Sequence, residues 1–272
     1  MLVDIEARVI RNIRLTKDYN VVELAAPEIA AATQPGQFVM VKPGRGSDPL
    51  LRRPFSVFEV LYDDHAQVIG LSLLSKRIGV TTSMLYDLVE NDVVSCLGPL
   101  GRPFELVDPP TEAWMVAGGV GLAPFATLTM ALRAHGTRMT LFYGARSGAE
   151  LFYADWFELP DLRMVFVTED GSRGEKGRVT LPLERELQAA RDRGGRDLIL
   201  YACGPEPMLE AVAALAHRYG RSSQVSVERV MGCGMGGCYS CVIPVRDGTS
   251  GQHYVRSCLN GPVFAGAEIV WD

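Results

Sequence analysis

The sequence predicts an α+β protein with three domains: an antiparallel β-barrel at residues 1–107, an α/β domain with a parallel sheet at residues 108–224, and a small C-terminal domain at residues 225–272. Three observations support this division. Short strand-like segments fill the first part, apolar runs alternate with helical segments in the second, and four of the six cysteines fall in the third. A chain of 272 residues is long enough for two or three small domains, each with its own core.

The first domain is predicted to consist mainly of short β-strands. Gly, Pro, Asp and Asn separate the segments ARVIRNIRL, NVVELAA, QFVMVKP, FSVFEVLY and VIGLSLL. Several short strands at such close spacing indicate a small antiparallel barrel. One helix is predicted at TTSMLYDLV, where Thr81 and Thr82 can cap the free amides of the first turn.

The second domain begins after the Pro109-Pro110 pair, where strand and helix patterns alternate. The strands AWMVAG, RMTLFYGA, RMVFVTE and DLILYAC are each followed by a helical segment, in order PFATLTMALRAHG, AELFYADWFE, TLPLERELQAARDRG and PEPMLEAVAALAHRYG. Such alternation is typical of a parallel sheet with crossover helices. It predicts a compact nucleotide-binding domain.

The third domain carries a cysteine motif that is typical of an iron–sulfur protein. Cys233, Cys238 and Cys241 have the plant-type spacing Cys-x4-Cys-x2-Cys, and Cys258 follows after x16. Four thiolates are the usual ligands of a [2Fe–2S] cluster, and the neighbouring glycines let backbone amides approach the sulfurs. A zinc site or unliganded buried thiols are the alternatives, although structural zinc sites more often use two close cysteine pairs.

Composition excludes several other classes of function. The net charge of −5 and the lack of a dense basic run argue against a nucleic-acid partner. The N-terminus lacks the apolar core of a signal peptide, and no apolar run reaches the length of a membrane span. We therefore expect a soluble cytoplasmic protein, in which cysteines are not read first as disulfides.

Two glycine motifs follow strands of the second domain. Gly119 and Gly121 lie where AWMVAG turns into a helix, and Cys203, Gly204 and Pro205 lie where DLILYAC does. Both would occupy the carboxyl edge of a parallel sheet, where a dinucleotide can reach helix N-termini. An ordinary glycine turn and a plain buried Cys203 thiol are the alternatives.

The first domain offers a second set of candidate binding residues. The segment RRPFSV, residues 52–57, combines two guanidiniums (Arg52 and Arg53), a fixed turn at Pro54, the aromatic ring of Phe55 and the hydroxyl of Ser56, which suit a flavin and its phosphates. The alternative is a solvated arginine pair before a core strand. Further along, Lys76, Gly79, Thr81 and Thr82 lie at a helix N-terminus, as a phosphate cradle or as simple capping residues.

The order of these motifs resembles the ferredoxin-reductase superfamily over essentially the whole chain. The shared features are Arg-Pro-x-Ser, a Gly-x-x-Thr helix start, GPLG at residues 98–101, GGxGxAP, CGPxxM and the terminal cysteines. The chain is most similar to the electron-transfer subunits of NAD-dependent, two-subunit dihydroorotate dehydrogenases. Many relatives have Gly-x-Gly-Thr where this chain has Gly79-Val80-Thr81-Thr82, and a side chain at Thr81 leaves less room for a phosphate.

The resemblance implies a role for each candidate residue. The four cysteines would hold the cluster, and the second-domain motifs would bind NAD. FAD would be bound by Arg53 at its pyrophosphate, by Ser56 near its reactive edge, and by further residues that line its site, namely Pro54, Phe55, Leu74, Ser75, Lys76, Gly79, Thr81 and Thr82.

The resemblance also implies a function in pyrimidine biosynthesis. An FMN-containing catalytic subunit, in a heterotetramer with this chain, would oxidise dihydroorotate, and electrons would pass through the cluster and FAD to NAD⁺. The alternative is a reductase subunit of a sulfide dehydrogenase, a hydrogenase or an electron-bifurcating transhydrogenase. Arg146 and Ser147 follow the strand RMTLFYGA, roughly where NADP-using relatives bind a 2′-phosphate, although the closer resemblance favours NAD.

Overall fold

The elements of the chain fall into two structural units. A computed structural model describes residues 2–44, 49–192, 197–248 and 251–271. The first unit comprises Met1–Pro103, Arg229–Val242 and Arg256–Pro262, and the second comprises Phe104–Glu228, Ile243–Val255 and Val263–Asp272. The predicted pairing of an antiparallel sheet with a mainly parallel α/β sheet is confirmed. A separate domain at residues 225–272 stays a prediction.

The first unit is built on a seven-stranded antiparallel sheet. Its strands are β1 (Val3–Arg14), β2 (Tyr19–Ala25), β3 (Phe38–Pro43), β4 (Arg53–Ser56), β5 (Glu59–Tyr62), β6 (Val68–Lys76) and β7 (Val93–Leu100). They lie in the order β4-β3-β7-β1-β2-β6-β5. Alternate side chains, such as Val22 and Leu24 on β2 with Leu71 and Leu73 on β6, form a buried core together with α1 (Pro27–Ala32) and α2 (Val80–Asp87).

The segment FSVFEVLY, predicted as one strand, forms parts of two. The Val57 amide donates to the Gln37 carbonyl, whereas the Phe58 amide donates to the Ser72 carbonyl. The chain therefore changes its pairing partner from the β3 side to β6 between β4 and β5. Both Val57 and Phe58 are buried at this crossover.

The second unit is built on a mixed seven-stranded sheet. Its strands are β8 (Glu112–Gly118), β9 (Met139–Ala145), β10 (Leu162–Thr168), β11 (Glu175–Lys176), β12 (Leu198–Cys203), β13 (Ser222–Ser226) and β16 (Val263–Ala265). The order is β11-β10-β9-β8-β12-β13-β16, and all neighbours are parallel except the antiparallel pair β13 and β16. Three predicted helices are confirmed, as α3 (Ala123–Ala134), α4 (Thr180–Asp192) and α5 (Glu206–Arg218).

The helix predicted at residues 149–158 is wrong. That stretch forms two short 3₁₀ turns, Gly148–Glu150 and Asp155–Phe157, and Tyr153 between them has a φ of 56°. A left-handed residue cannot continue a right-handed helix, so the segment breaks there.

The C-terminal segment consists of short elements. They are the hairpin strands β14 (Val242–Asp247) and β15 (Gly251–Arg256), the single helical turn α6 (Ser257–Asn260) and β16. Among the described residues, no helix has the length and apolar character needed to cross a bilayer.

Candidate functional site

The structure gathers the four C-terminal cysteines as two pairs of side chains. Cys233 lies close enough to Cys238 to lower the pKa of that thiol, and Cys241 lies close enough to Cys258 to raise the pKa of that one. Cys241 and Cys258 are buried, whereas Cys238 is exposed to solvent. Within the described ranges, no three His, Cys, Asp or Glu side chains are arranged to hold one metal ion.

Backbone amides surround these sulfurs because the loop that carries them is rich in glycine. The amides of Met235 and Gly237 donate to the Cys233 sulfur over 3.4 and 3.2 Å. The Gly236 backbone also acts on the Cys258 thiol in the direction that lowers its pKa, although burial outweighs this effect. Amide donors favour a thiolate over a thiol, and a thiolate is the form that binds iron.

The environments of the exposed and the buried sulfurs differ strongly. Hydrogen bonds from the Ser240 hydroxyl, and next from the Ser240 amide, lower the pKa of Cys238 to about 6. Burial, followed by the neighbouring Cys241, raises the pKa of Cys258 to about 12. In the metal-free chain, therefore, Cys238 is the thiolate at neutral pH and Cys258 is the thiol.

The cysteine loop packs directly on the antiparallel sheet of the first unit. A hydrophobic cluster joins Cys241 and Cys258 to residues of β3 and β7, namely Phe38, Met40, Leu97 and Leu100, with Met231. Gly234 has a φ of 70°, and a Cβ there would lie 2.5 Å from the Met40 side chain. Only glycine permits both this backbone conformation and this close approach.

The two cysteine-bearing segments are also tied to each other. The Ser257 amide donates to the Cys241 carbonyl over 2.9 Å. Arg256 donates from Nη1 to the Gly236 carbonyl over 2.7 Å, and its guanidinium lies 4.6 Å from the centre of the Tyr239 ring. The Ser257 hydroxyl is buried without a hydrogen-bond partner among the described residues.

Arg52 and Arg53, at the start of β4, make different contacts. Arg52 donates to both carboxylate oxygens of Asp4, at 3.1 and 2.6 Å, and to the Ser95 hydroxyl. Arg53 is exposed, and its recorded hydrogen bond is a 3.2 Å contact to the Arg52 carbonyl. Arg52 therefore fixes the start of the strand, whereas the Arg53 guanidinium is available to bind an anion.

The other predicted residues of the first unit lie near the start of α2. The helix begins at Val80 rather than at Thr81, and the Thr82 hydroxyl accepts from the amides of Ile78 and Gly79. Thr81 is buried, so its side chain does not extend into solvent at the helix N-terminus. A Cβ at Gly79 would meet no atom within 4 Å, which leaves open space there.

The strand β6 contributes an unpaired polar group beside this helix. The Ser75 hydroxyl is buried and has no hydrogen-bond partner among the described residues. Leu74 is buried, and the Lys76 ammonium lies 5.0 Å from the centre of the Tyr19 ring. Among the β4 residues, Phe55 packs against the core of the sheet, and Pro54 and Ser56 are half-buried.

The two glycine motifs of the second unit meet at one edge of its sheet. Strands β8 and β12 are parallel neighbours, and Ala117 pairs with Cys203 near their carboxyl ends. Gly119 has a φ of 55°, and a Cβ at Gly121 would lie 2.2 Å from the Cys203 carbonyl oxygen. Pro124 stands in the first turn of α3, as expected.

The second motif packs closely against the first. A Cβ at Gly118 would lie 2.8 Å from the Pro205 ring, and Gly204 has a φ of 154°. Cys203 is half-buried, and desolvation of its thiol raises the pKa to about 12, so it is not a reactive thiolate. The predicted juxtaposition of the two motifs is confirmed.

Two residues of the site were missed in the sequence. Ser240 contacts Cys238, and Arg256 donates to the Gly236 carbonyl in the cysteine loop. Ser240 could have been noticed because it lies inside the Cys-x2-Cys interval, whereas nothing in the sequence distinguishes Arg256 from a solvated arginine.

Two family models match the chain. Residues 228–270 match the iron–sulfur cluster binding domain of dihydroorotate dehydrogenase B, and residues 115–214 match the oxidoreductase NAD-binding domain.

Curated relatives match over almost the whole chain. The "Dihydroorotate dehydrogenase B (NAD(+)), electron transfer subunit" of Desulforamulus reducens is 34% identical over 92% of this chain and 92% of its own length. The protein of the same name from Geobacillus kaustophilus is 39% identical over 87% of both chains.

A solved structure is similar over the same extent. It is that of an NADH-dependent reduced ferredoxin-NADP oxidoreductase, described for flavin-based electron bifurcation. It is 28% identical to this chain, with a TM-score of 0.82, and the match covers 98% of this chain and 90% of the other.

Proposed function

Since the chain belongs to the family of electron-transfer subunits of NAD⁺-linked dihydroorotate dehydrogenase B, we propose that it carries electrons from a dihydroorotate-oxidising partner subunit to NAD⁺. The observation that carries the proposal is the pairing of Cys233 with Cys238 and of Cys241 with Cys258, beside a loop whose backbone amides donate to the Cys233 sulfur. That loop packs on β3, the strand that pairs with the Arg53–Ser56 strand.

The proposed iron ligands are Cys233, Cys238, Cys241 and Cys258. Each iron of a [2Fe–2S] cluster takes two protein ligands, and paired thiols suit that requirement. The amide donors to Cys233 would stabilise negative charge on the bound sulfur. The unpartnered Ser257 hydroxyl beside Cys258 is a further polar group that fits an absent anionic centre.

The proposed FAD site comprises β4 and the start of α2. Arg53 is an exposed guanidinium that can bind a pyrophosphate bidentately, and Gly79 leaves room for phosphate beside amides at the helix N-terminus. The buried Ser75 hydroxyl has no hydrogen-bond partner in the part of the chain that the structure describes, as expected for a residue that faces a cofactor. Ser56 is proposed to lie near the reactive edge of the flavin. Phe55 packs into the core, so a stacking role for its ring has no support in these contacts.

The proposed NAD site is the carboxyl edge of β8 and β12. Glycines at 119, 121 and 204 let the backbone approach a dinucleotide, and the start of α3 presents free amides to its phosphates. When bound, nicotinamide exchanges electron pairs, the cluster exchanges single electrons, and FAD exchanges both. The chain itself supplies binding, orientation and tuning. NAD rather than NADP stays a prediction, to be checked by kinetics with both.

The partner subunit is proposed to dock on the surface around Cys238. Met235, Tyr239 and Leu259 are large apolar side chains exposed on or beside the cysteine loop, and Val230 precedes it. Exposed apolar groups of this kind mark protein interfaces. The FMN cofactor of the partner, a heterotetrameric assembly and a cytoplasmic location stay predictions.

The decisive experiment is anaerobic expression of the chain with and without a dihydroorotate-oxidising catalytic subunit. We expect iron, acid-labile sulfide and FAD in the isolated chain, with NADH-dependent reduction of a dye. We expect dihydroorotate-dependent NAD⁺ reduction only when both proteins are present. A colourless chain with one zinc and no flavin would reject the proposal.

A second candidate partner is favoured by the similarity to the bifurcating oxidoreductase. In that case the chain would serve a ferredoxin-linked catalytic subunit instead. Dihydroorotate would then fail to reduce NAD⁺ in the co-purified complex, whereas reduced ferredoxin with NADH would reduce NADP⁺. The same preparation therefore distinguishes the two.

A further inference from the structure

Arg256 connects the two segments that carry the cysteines. It ends β15, two residues before Cys258, and its Nη1 reaches the Gly236 carbonyl at 2.7 Å. Its guanidinium also lies over the Tyr239 ring at 4.6 Å. Gly236 and Tyr239 stand on either side of Cys238 in sequence, so one side chain holds the loop both before and after that ligand.

The two residues that Arg256 contacts have constrained backbones. Gly236 has a φ of 84°, and a Cβ there would lie 2.4 Å from the Leu259 side chain. Tyr239 has a φ of 59°, which is uncommon for a residue with a side chain. A conformation of this kind persists only when its surroundings hold it. The bond to Gly236 and the stacking on Tyr239 provide that restraint.

The guanidinium is half-buried and forms no ion pair with a carboxylate in the described part of the chain. A half-buried charge normally has a counter-charge. The anions nearest its segment would be the cysteine sulfurs of a bound cluster, because Arg256 donates to the carbonyl of Gly236, which lies between Cys233 and Cys238. Four thiolates and two sulfides leave an iron pair with a net negative charge, which increases when an electron is added.

We propose that Arg256 is a positioning residue for the iron–sulfur cluster, which fixes the Cys233–Cys238 loop against the Cys258 segment and compensates the negative charge of the centre. This rests on the cluster site proposed above. Because the positive charge stabilises the reduced state more than the oxidised state, Arg256 raises the reduction potential. The planar guanidinium of Arg256 both donates to the Gly236 carbonyl and stacks on the Tyr239 ring, so Arg256 also slows the loss of iron from the cluster.

The test uses the full chain with two substitutions that separate charge from shape. Arg256→Lys keeps the positive charge and loses the planar guanidinium, whereas Arg256→Gln keeps an amide donor and loses the charge. Arg246→Gln, on the exposed face of β14, is the matched control. For each protein we measure iron per chain, the midpoint potential by EPR-monitored titration, and the rate of bleaching by a chelator.

We expect a more negative midpoint potential in Arg256→Gln, a potential close to the unaltered chain in Arg256→Lys, and faster bleaching in both. If Arg256→Gln loses iron and Arg256→Lys retains it, that difference would also support the charge role. Full iron with unchanged potential in Arg256→Gln would overturn it, as would an equal shift of the potential in Arg246→Gln or a bleaching rate in both Arg256 variants that matches the unaltered chain. An unaltered chain without iron or an EPR signal would instead reject the proposed function.

Discussion

Replacement of Gly121 by alanine tests the nucleotide site at its tightest point. The new Cβ would lie 2.2 Å from the Cys203 carbonyl oxygen and 2.5 Å from its carbon, whereas ordinary contacts begin at 3.4 Å. The turn after β8 must therefore move by about 1 Å away from the end of β12, since the atoms it meets are backbone. Overpacking of this kind costs about 1–3 kcal/mol.

The consequences for binding and stability can be measured separately. A displacement of ~1 Å in a substrate-positioning segment can reduce turnover by roughly 10²-fold, so we expect kcat/KM for NADH in dye reduction to fall toward that level. We expect the melting temperature to fall by roughly 2–4 °C per kcal/mol lost. FAD content should not change, because the proposed FAD residues belong to the first unit.

Gly251→Ala is the control for this substitution. Its Cβ would meet its nearest atom at 3.9 Å, and its backbone is in an ordinary conformation, so both kcat/KM and melting temperature should match the unaltered chain. A Gly121→Ala protein with normal kcat/KM for NADH and normal melting temperature would refute the reasoning that these two motifs form one binding surface.

Two further substitutions test the first unit. Arg52→Ala should lower the free energy of unfolding by about 1–2 kcal/mol, because it breaks the bidentate contact with Asp4, and it should weaken FAD binding. Urea unfolding measures the first effect and flavin titration measures the second. The control is Arg8→Ala, which removes one exposed hydrogen bond of 3.3 Å and should change neither quantity. In the metal-free chain, alkylation of Cys238 should rise with pH around a midpoint near 6, since the thiolate is the reactive form, and Ser240→Ala should move that midpoint upward by removing the hydroxyl donor. Peptide mass spectrometry between pH 5 and pH 9 measures this midpoint shift, and equal midpoints in the two proteins would contradict it.

Much of the fold could be predicted because local patterns specify it. The alternation of apolar runs with helical segments placed β8, α3, β12 and α5 within a few residues of their observed bounds. The shared edge of the two glycine motifs also followed from parallel topology, and it is observed. The influence of Cys233 on Cys238 and of Cys241 on Cys258 indicates two close pairs, whereas a shared site for all four cysteines stays a prediction.

Other features depend on distant contacts that a local pattern does not contain. The break at Val57 and Phe58 arises because adjacent residues bond to different strands. The helix predicted at residues 149–158 does not form because Tyr153 has a left-handed backbone conformation, and no glycine at that position signals it in the sequence. Parts of the C-terminal segment belong to each unit, and pieces this short carry little sequence information about their partners.

The same limit applies to the candidate site. Arg52 and Arg53 look equivalent in the sequence, yet one is engaged by Asp4 and the other is free for an anion. Arg256 could be distinguished from a solvated arginine only once its contact with Gly236 was known.

The position of Met40 bears on the rate of electron transfer through the chain. On β3 its backbone pairs with Pro54, within the strand assigned to FAD, and its side chain meets Gly234 in the cysteine loop. Electron tunnelling slows steeply as the gap between two carriers widens. Because the strand proposed to bind FAD and the cysteine loop both contact β3, we expect thermal motion to displace the two proposed sites together, so that the distance between their carriers varies little.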